Sequence, residues 1–235
     1  MFDRYALTAR VTPAAIVLLP LVVAMSVWVG GAWPQKILFA GAFWMGLAFL
    51  AGQIARDEGK RREAKLWQAW GGRPTTRLLR HSDPMLPQPV RQRYHTRLAT
   101  LVPSITLPTA DEERTAPRAA DEVYESCVIV LLERTRDPKQ FPLVLTENIG
   151  YGFRRNLYGL KPAAIVLTIV GIVAVTAKLL MDIPAAGNEL VAVDASALFL
   201  LSLLLAIWVA RISSAWVKAA ADAYAVRLLS SCDVL

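Results

Sequence analysis

Cysteine and histidine are scarce, with two of each in 235 residues. Cys127 and Cys232 are too few for a disulfide framework, and neither has a second Cys or a His at metal-ligand spacing. His81 and His95 leave little for acid–base catalysis, and His81 near Asp83 reads as a polar pair at a turn. H-E-x-x-H, G-x-S-x-G and paired-carboxylate motifs are missing too. The sequence therefore predicts no metal site, no cofactor and no enzyme. Charge is also thin: 19% of residues are charged, 55% are hydrophobic, and mean hydropathy is +0.40. A soluble domain sits nearer 45–50% apolar. Ordinary cytosolic enzymes, collagen-like chains and disordered tails are excluded.

The apolar excess is bunched into four runs, roughly 11–31, 37–55, 162–181 and 195–210. A bilayer core about 30 Å thick needs ~20 helical residues. The first three runs meet that length, and the fourth is expected to continue past Arg211. Arg4 and Arg10 precede the first run and small residues follow it, as in a signal peptide, but the run exceeds a usual signal core. Residues 56–161 hold 19 Lys and Arg against 13 Asp and Glu. Asp182–Asp194 holds three acids and no base, and Gly31–Lys36 has only Lys36. The positive-inside rule then places both termini and the large segment in the cytoplasm, with two short loops outside. Trp28 and Trp33 fit an outer aromatic belt, and Trp208 and Trp216 an inner one.

The expected fold is an all-α integral membrane protein, with four transmembrane helices and a helical cytoplasmic domain inserted between spans 2 and 3. Its parts are a hairpin (1–55), a ligand-sensing domain (56–161), a second hairpin (162–212) and an amphipathic C-terminal helix (213–235). Within the domain, Arg56–Trp70 continues the second span and Gly71-Gly72 stops it. Pro74 opens a short helix, and Val90–Leu101 forms another. Pro103–Pro117 reads as a loop, Asp121–Arg136 as the core helix, and Phe141–Leu160 runs into the third span.

Three constellations carry possible chemistry. Gly71-Gly72-Arg73-Pro74-Thr75-Thr76-Arg77, with Arg80 one turn on, suits an anion: glycines permit close backbone approach and arginines supply forked donors. It lacks the Gly-Lys-Ser/Thr ending of a Walker loop. The same residues also suit a helix junction with solvated arginines. Tyr151, Phe153, Arg154 and Arg155, with Asn156, interleave rings and guanidinium groups as base-stacking sites do, and equally as juxtamembrane topology determinants do. Gly150 and Gly152 offer a hinge. Thr168, Gly171, Val175 and Lys178 share one face of the third span, as a pore lining or beside a snorkelling lysine. Small residues every four positions (Ala42/Gly46, Ala48/Gly52, and Ser202 to Ser214) argue for close helix contact and a homo-oligomer.

The tracts Trp67–His81 (WQAWGGRPTTRLLRH) and Tyr151–Pro162 (YGFRRNLYGLKP), in a two-span, domain, two-span frame, resemble membrane effectors of bacterial antiphage defence systems, the Hailong-type channel effector among them. The resemblance implies a multi-pass ion channel of the bacterial inner membrane, gated by a single-stranded oligonucleotide or a cyclic or linear nucleotide, with a ligand-producing nucleotidyltransferase as partner. A non-conducting membrane anchor or adaptor, holding a protein or anionic lipid, is the alternative.

Overall fold

In the computed structural model, residues 4–29, 34–183 and 188–235 are described, without the side chains of 34–40, 42 and 188. The helices are α1 (Arg4–Ala6), a π turn (Leu7–Val11), α2 (Thr12–Trp28), α3 (Pro34–Ala69), α4 (Pro74–Leu79) and α5 (Gln88–Leu101). They continue as α6 (Ala110–Thr115), α7 (Pro117–Arg134), α8 (Pro142–Asp182), α9 (Asn188–Ala210) and α10 (Ser214–Ser230). No strand occurs among the described residues. Two compact units form: 1–62 with 152–217, and 63–151 with 218–235. The C-terminal helix thus contributes most of its length to the second unit.

Among the described residues, three helices are long and apolar enough to cross a membrane: Arg4–Trp28, Pro142–Asp182 and Glu189–Ala210. Their outward faces are apolar too, with Met25, Val170, Val173, Phe199 and Leu203 exposed. A water-soluble bundle would put polar residues there. The second apolar run falls on α3 and extends into residues whose side chains are not described. Trp33 lies outside the described residues.

In the first unit, Ala14, Val17, Ala55, Leu157, Leu160, Ala164, Trp208 and Ile212 pack together. Trp208 is therefore a core residue of the bundle and not part of an interfacial belt. The tightest approach joins α3 to α8. A Cβ added to Gly159 would stand 2.8 Å from the Gly59 nitrogen and 3.0 Å from its Cα. Pro13 has no N–H to give the Ala9 carbonyl four residues earlier. The buried Asn156 side chain donates to that carbonyl instead, at 2.7 Å.

α9 begins earlier than the apolar run predicts and ends at Ala210, so it does not continue past Arg211. Ser213 caps the next helix, accepting from the Trp216 N–H at 3.3 Å. The Lys161 ammonium donates to the Ile212 carbonyl at 2.7 Å, satisfying an acceptor in the link between α9 and α10.

The second unit has its own core: Leu78, Leu79, Tyr94, Leu98, Tyr124, Cys127 and Leu131, joined by Ala225, Leu228, Leu229 and Cys232. α10 thus completes this core with its C-terminal half. The Pro103–Pro117 stretch contains α6, opened by a capping box between Thr109 and Glu112.

Candidate functional site

The glycine junction is a helix stop of the Schellman type. The Gly72 N–H donates to the Trp67 carbonyl at 2.8 Å, and the Gly71 N–H to the Gln68 carbonyl at 3.2 Å. Gly71 and Gly72 have φ of 82° and 134°, which a side chain would resist. The arginines that follow are bound within the chain. Arg77 donates to Asp222 at 2.6 Å and lies 3.4 Å from Asp83. Arg80 grips both oxygens of Asp121, at 2.8 and 2.7 Å, and the Gly71 carbonyl at 2.6 Å. Those pairs use the donors that a phosphate would need. Arg73 is half exposed, 3.1 Å from Glu125, with its guanidinium 4.9 Å from the Trp67 ring centre.

Below this junction, Glu113 on α6 accepts from the His81 N–H (2.8 Å), the Ser82 N–H (3.2 Å), the Ser82 hydroxyl (2.9 Å) and the Tyr124 hydroxyl (2.9 Å). The predicted His81–Asp83 pair is replaced by other partners. His81 donates from Nε2 to the Pro108 carbonyl at 3.1 Å, and Asp83 takes Arg77 and the Met85 N–H. His81 also meets His95 edge to face, 4.9 Å between ring centres. His95 in turn donates from Nε2 to the Leu79 carbonyl at 2.8 Å. Buried Arg91 closes the layer by donating to the carbonyls of Arg80 and Asp83, each at 2.6 Å.

This layer makes the second unit acid-labile. Burial, the largest influence, lowers the His95 pKa, with His81 and Arg91 adding to it against the Leu79 hydrogen bond. Burial alone would raise the Glu113 pKa, but the bonds from His81, Tyr124 and Ser82 outweigh it and hold it low. Both groups bind fewer protons folded than unfolded, so stability falls as pH falls. His95 acts first, below its ordinary value of about 6.5, and Glu113 follows below the ordinary carboxylate range. The protection factors of α5 and α7 amides, which are exchange rates relative to the free-chain rate at the same pH, should fall progressively below neutral pH. In His95→Gln, whose amide can still donate to Leu79, the first part of that fall should vanish. Protection factors independent of pH across this range would overturn the assignment.

The aromatic–arginine tract is likewise built into the fold. The Tyr151 hydroxyl donates to Glu63 at 2.6 Å. Phe153 meets Trp216 edge to face, and Arg154 lies over the same indole while donating to the Trp216 carbonyl at 3.0 Å. Arg155 is buried and donates to the Asn156 side-chain oxygen at 3.3 Å. Gly152 takes the close approach of Tyr5 and Ala9, and α8 runs through it unbroken, so it serves packing and not a hinge.

Two of the seven predicted ligand residues, Arg73 and Tyr151, meet at a cavity of about 160 Å³ in the second unit. Trp67, Thr76, Val128, Leu132, Tyr224 and Leu228 also line it, and Arg73 and Glu125 contribute its charges. The Tyr151 and Tyr224 rings are nearly parallel, 6.2 Å apart. Tyr224 comes from α10, 73 residues beyond Tyr151 in the sequence, so only the fold reveals the pairing. Cys127 and Cys232 are buried elsewhere in the core and unreactive; burial pushes both thiols up, Cys232 to about 12.

The predicted pore stripe faces inward within its own chain. Thr168 is fully buried and donates to the Ala164 carbonyl at 2.7 Å. A Cβ on Gly171 would sit 3.1 Å from the Pro20 carbonyl oxygen. Val175 packs with Ala24, Ala197 and Leu201, and Lys178 pairs with Asp182. In the folded chain, Thr168, Gly171 and Val175 are helix-packing residues. Comparison with models of protein families, with curated proteins and with solved structures found no match to this chain.

Proposed function

We propose that the chain is a multi-pass inner-membrane effector with four spans and cytoplasmic termini, assembling as a homo-oligomeric ion channel. In this reading a nucleotide or DNA-oligomer ligand on the second unit gates it. The observation that carries the reading is the continuity of two helices. α3 and α8 each pass without a break from the second unit, which holds the Arg73–Tyr151 cavity, into apolar sequence. A ligand that favours one arrangement of these helices shifts the membrane assembly with it. A cavity of about 160 Å³ is close to the ~150 Å³ that encloses one benzene ring, so it takes a single base, leaving phosphates to Arg73.

Because the α8 stripe is buried, a lumen between copies needs another lining. α3 presents Gly46 and Gln53 on an exposed face, and a Cβ on Gly46 meets open space. Gly46→Leu should therefore leave the thermal midpoint of the protomer no lower than wild type, since helix propensity favours leucine, while lowering the copy number in detergent. An unchanged oligomer would remove this face from the assembly. The gating test is ion flux from liposomes of purified protein, with and without a short single-stranded oligonucleotide. Ligand-dependent flux that is lost in Arg73→Gln supports the reading, and impermeability under all conditions overturns it.

The burial of Thr168, Gly171 and Val175, and the internal pairing of Arg77 and Arg80, favour a second reading. In it the chain is a non-conducting anchor whose basic surface holds a protein or anionic lipid. That reading predicts no flux and binding to anionic vesicles that weakens with salt.

A further inference from the structure

The Gly71-Gly72 stop turns the chain so that Trp67, near the end of α3, and Thr76, on α4, line the same cavity of the second unit. Four side-chain polar atoms of that unit are buried without a hydrogen-bond partner among the described residues, on Trp67, Trp70, Thr76 and Arg77. Two of the four, the Trp67 indole N–H and the Thr76 hydroxyl, belong to residues of the cavity wall. Thr76 is only 1% exposed, so bulk solvent does not stand in for the partner its hydroxyl lacks. Such a group is costly in the free chain, and a ligand that completes its hydrogen bond recovers that cost on binding.

The rest of the wall defines what that ligand is. Val128, Leu132 and Leu228 make it apolar, and Tyr151 and Tyr224 add aromatic surface. Its two charges, Arg73 and Glu125, lie 3.1 Å apart and answer each other, so the interior suits an uncharged group. An indole N–H only donates, so that group must carry an acceptor, while the Thr76 hydroxyl both donates and accepts. A volume of about 160 Å³ holds one six-membered ring. A purine would have to leave its second ring outside, whereas a pyrimidine enters whole and brings its O2 carbonyl oxygen as acceptor. We propose that the cavity is a pyrimidine-selective base pocket, in which Trp67 and Thr76 hydrogen-bond the polar edge of cytosine or thymine. The assignment rests on the nucleotide reading of this unit and narrows it to one class of base.

Equilibrium dialysis of the full chain in detergent against dCMP, dTMP, dAMP and dGMP tests this, since the four share sugar and phosphate and differ in the base. The two pyrimidine nucleotides should bind about tenfold more tightly than the two purines, whose outer ring stays in water. Thr76→Val keeps the side-chain shape and drops the hydroxyl, so it should weaken pyrimidine binding about fivefold. Its thermal midpoint without nucleotide should be no lower than wild type, because the hydroxyl has no partner in the chain to lose. Thr76→Ser keeps a hydroxyl and should retain the preference. A lowered midpoint or unchanged pyrimidine binding in Thr76→Val would overturn the proposal, by making the hydroxyl structural or idle. Purines held as tightly as pyrimidines would overturn it too, while leaving the nucleotide reading standing. Binding of none of the four would also overturn it, and oligonucleotide-dependent flux from liposomes then decides the nucleotide reading separately.

Discussion

Replacing Glu113 with alanine should remove about 3–5 kcal/mol from the second unit, because four donors lose their acceptor at once. The Tyr124 hydroxyl suffers most. It belongs to a fully buried residue and has no route to water unless the α6–α7 contact opens. The Ser82 hydroxyl can turn toward solvent, so the loss is smaller than four separate penalties. Glu113→Gln keeps one acceptor oxygen and should fall between alanine and wild type. Hydrogen exchange of α4, α6 and α7 peptides measures the effect, which should leave α9 amides unchanged. Wild-type exchange in the alanine variant would show that the carboxylate does not hold this layer together.

The second large effect is expected at the crossing of α3 and α8. Gly159→Ala places a methyl against the backbone of Gly59, and backbone cannot rotate away as a side-chain tip can. Overpacking of this kind costs about 1–3 kcal/mol, and the helices must separate to relieve it. Thermal unfolding in detergent should show a lowered midpoint. Gly150→Ala is the matched control on the same helix. A Cβ there meets nothing within 4 Å, so it should stabilise by about 0.5–1 kcal/mol through helix propensity. Equal effects of the two substitutions would mean that propensity, and not the crossing, governs position 159.

The contrast between these glycines marks what the sequence could and could not reveal. Local signals were legible. The Gly71-Gly72 stop, the proline opening α4 and the helical run from the Arg56 region back into the second apolar stretch all depend on neighbours a few residues away. α6 was also locally written, since Thr109 and Glu112 have capping-box spacing, but flanking prolines made the stretch read as a loop. Partnerships across the chain were not legible. Arg77 and Asp222 are 145 positions apart, and Arg80 and Asp121 are 41 apart. A basic tract looks the same in sequence whether its charges meet a ligand or distant carboxylates. The stripe Thr168–Gly171–Val175 was ambiguous for a related reason. Periodicity finds a face but does not say what covers it, and here Pro20, Ala24 and Leu201 do.

The bond from Asn156 to the Ala9 carbonyl spans 147 positions and answers a vacancy left by one imino acid. It links two sites in descent as well as in space. A lineage that exchanges Pro13 for a residue with an amide hydrogen restores the missing donor locally and frees position 156 from its duty. A lineage that keeps the proline must keep an amide-bearing side chain opposite it, so the two positions should change hands together.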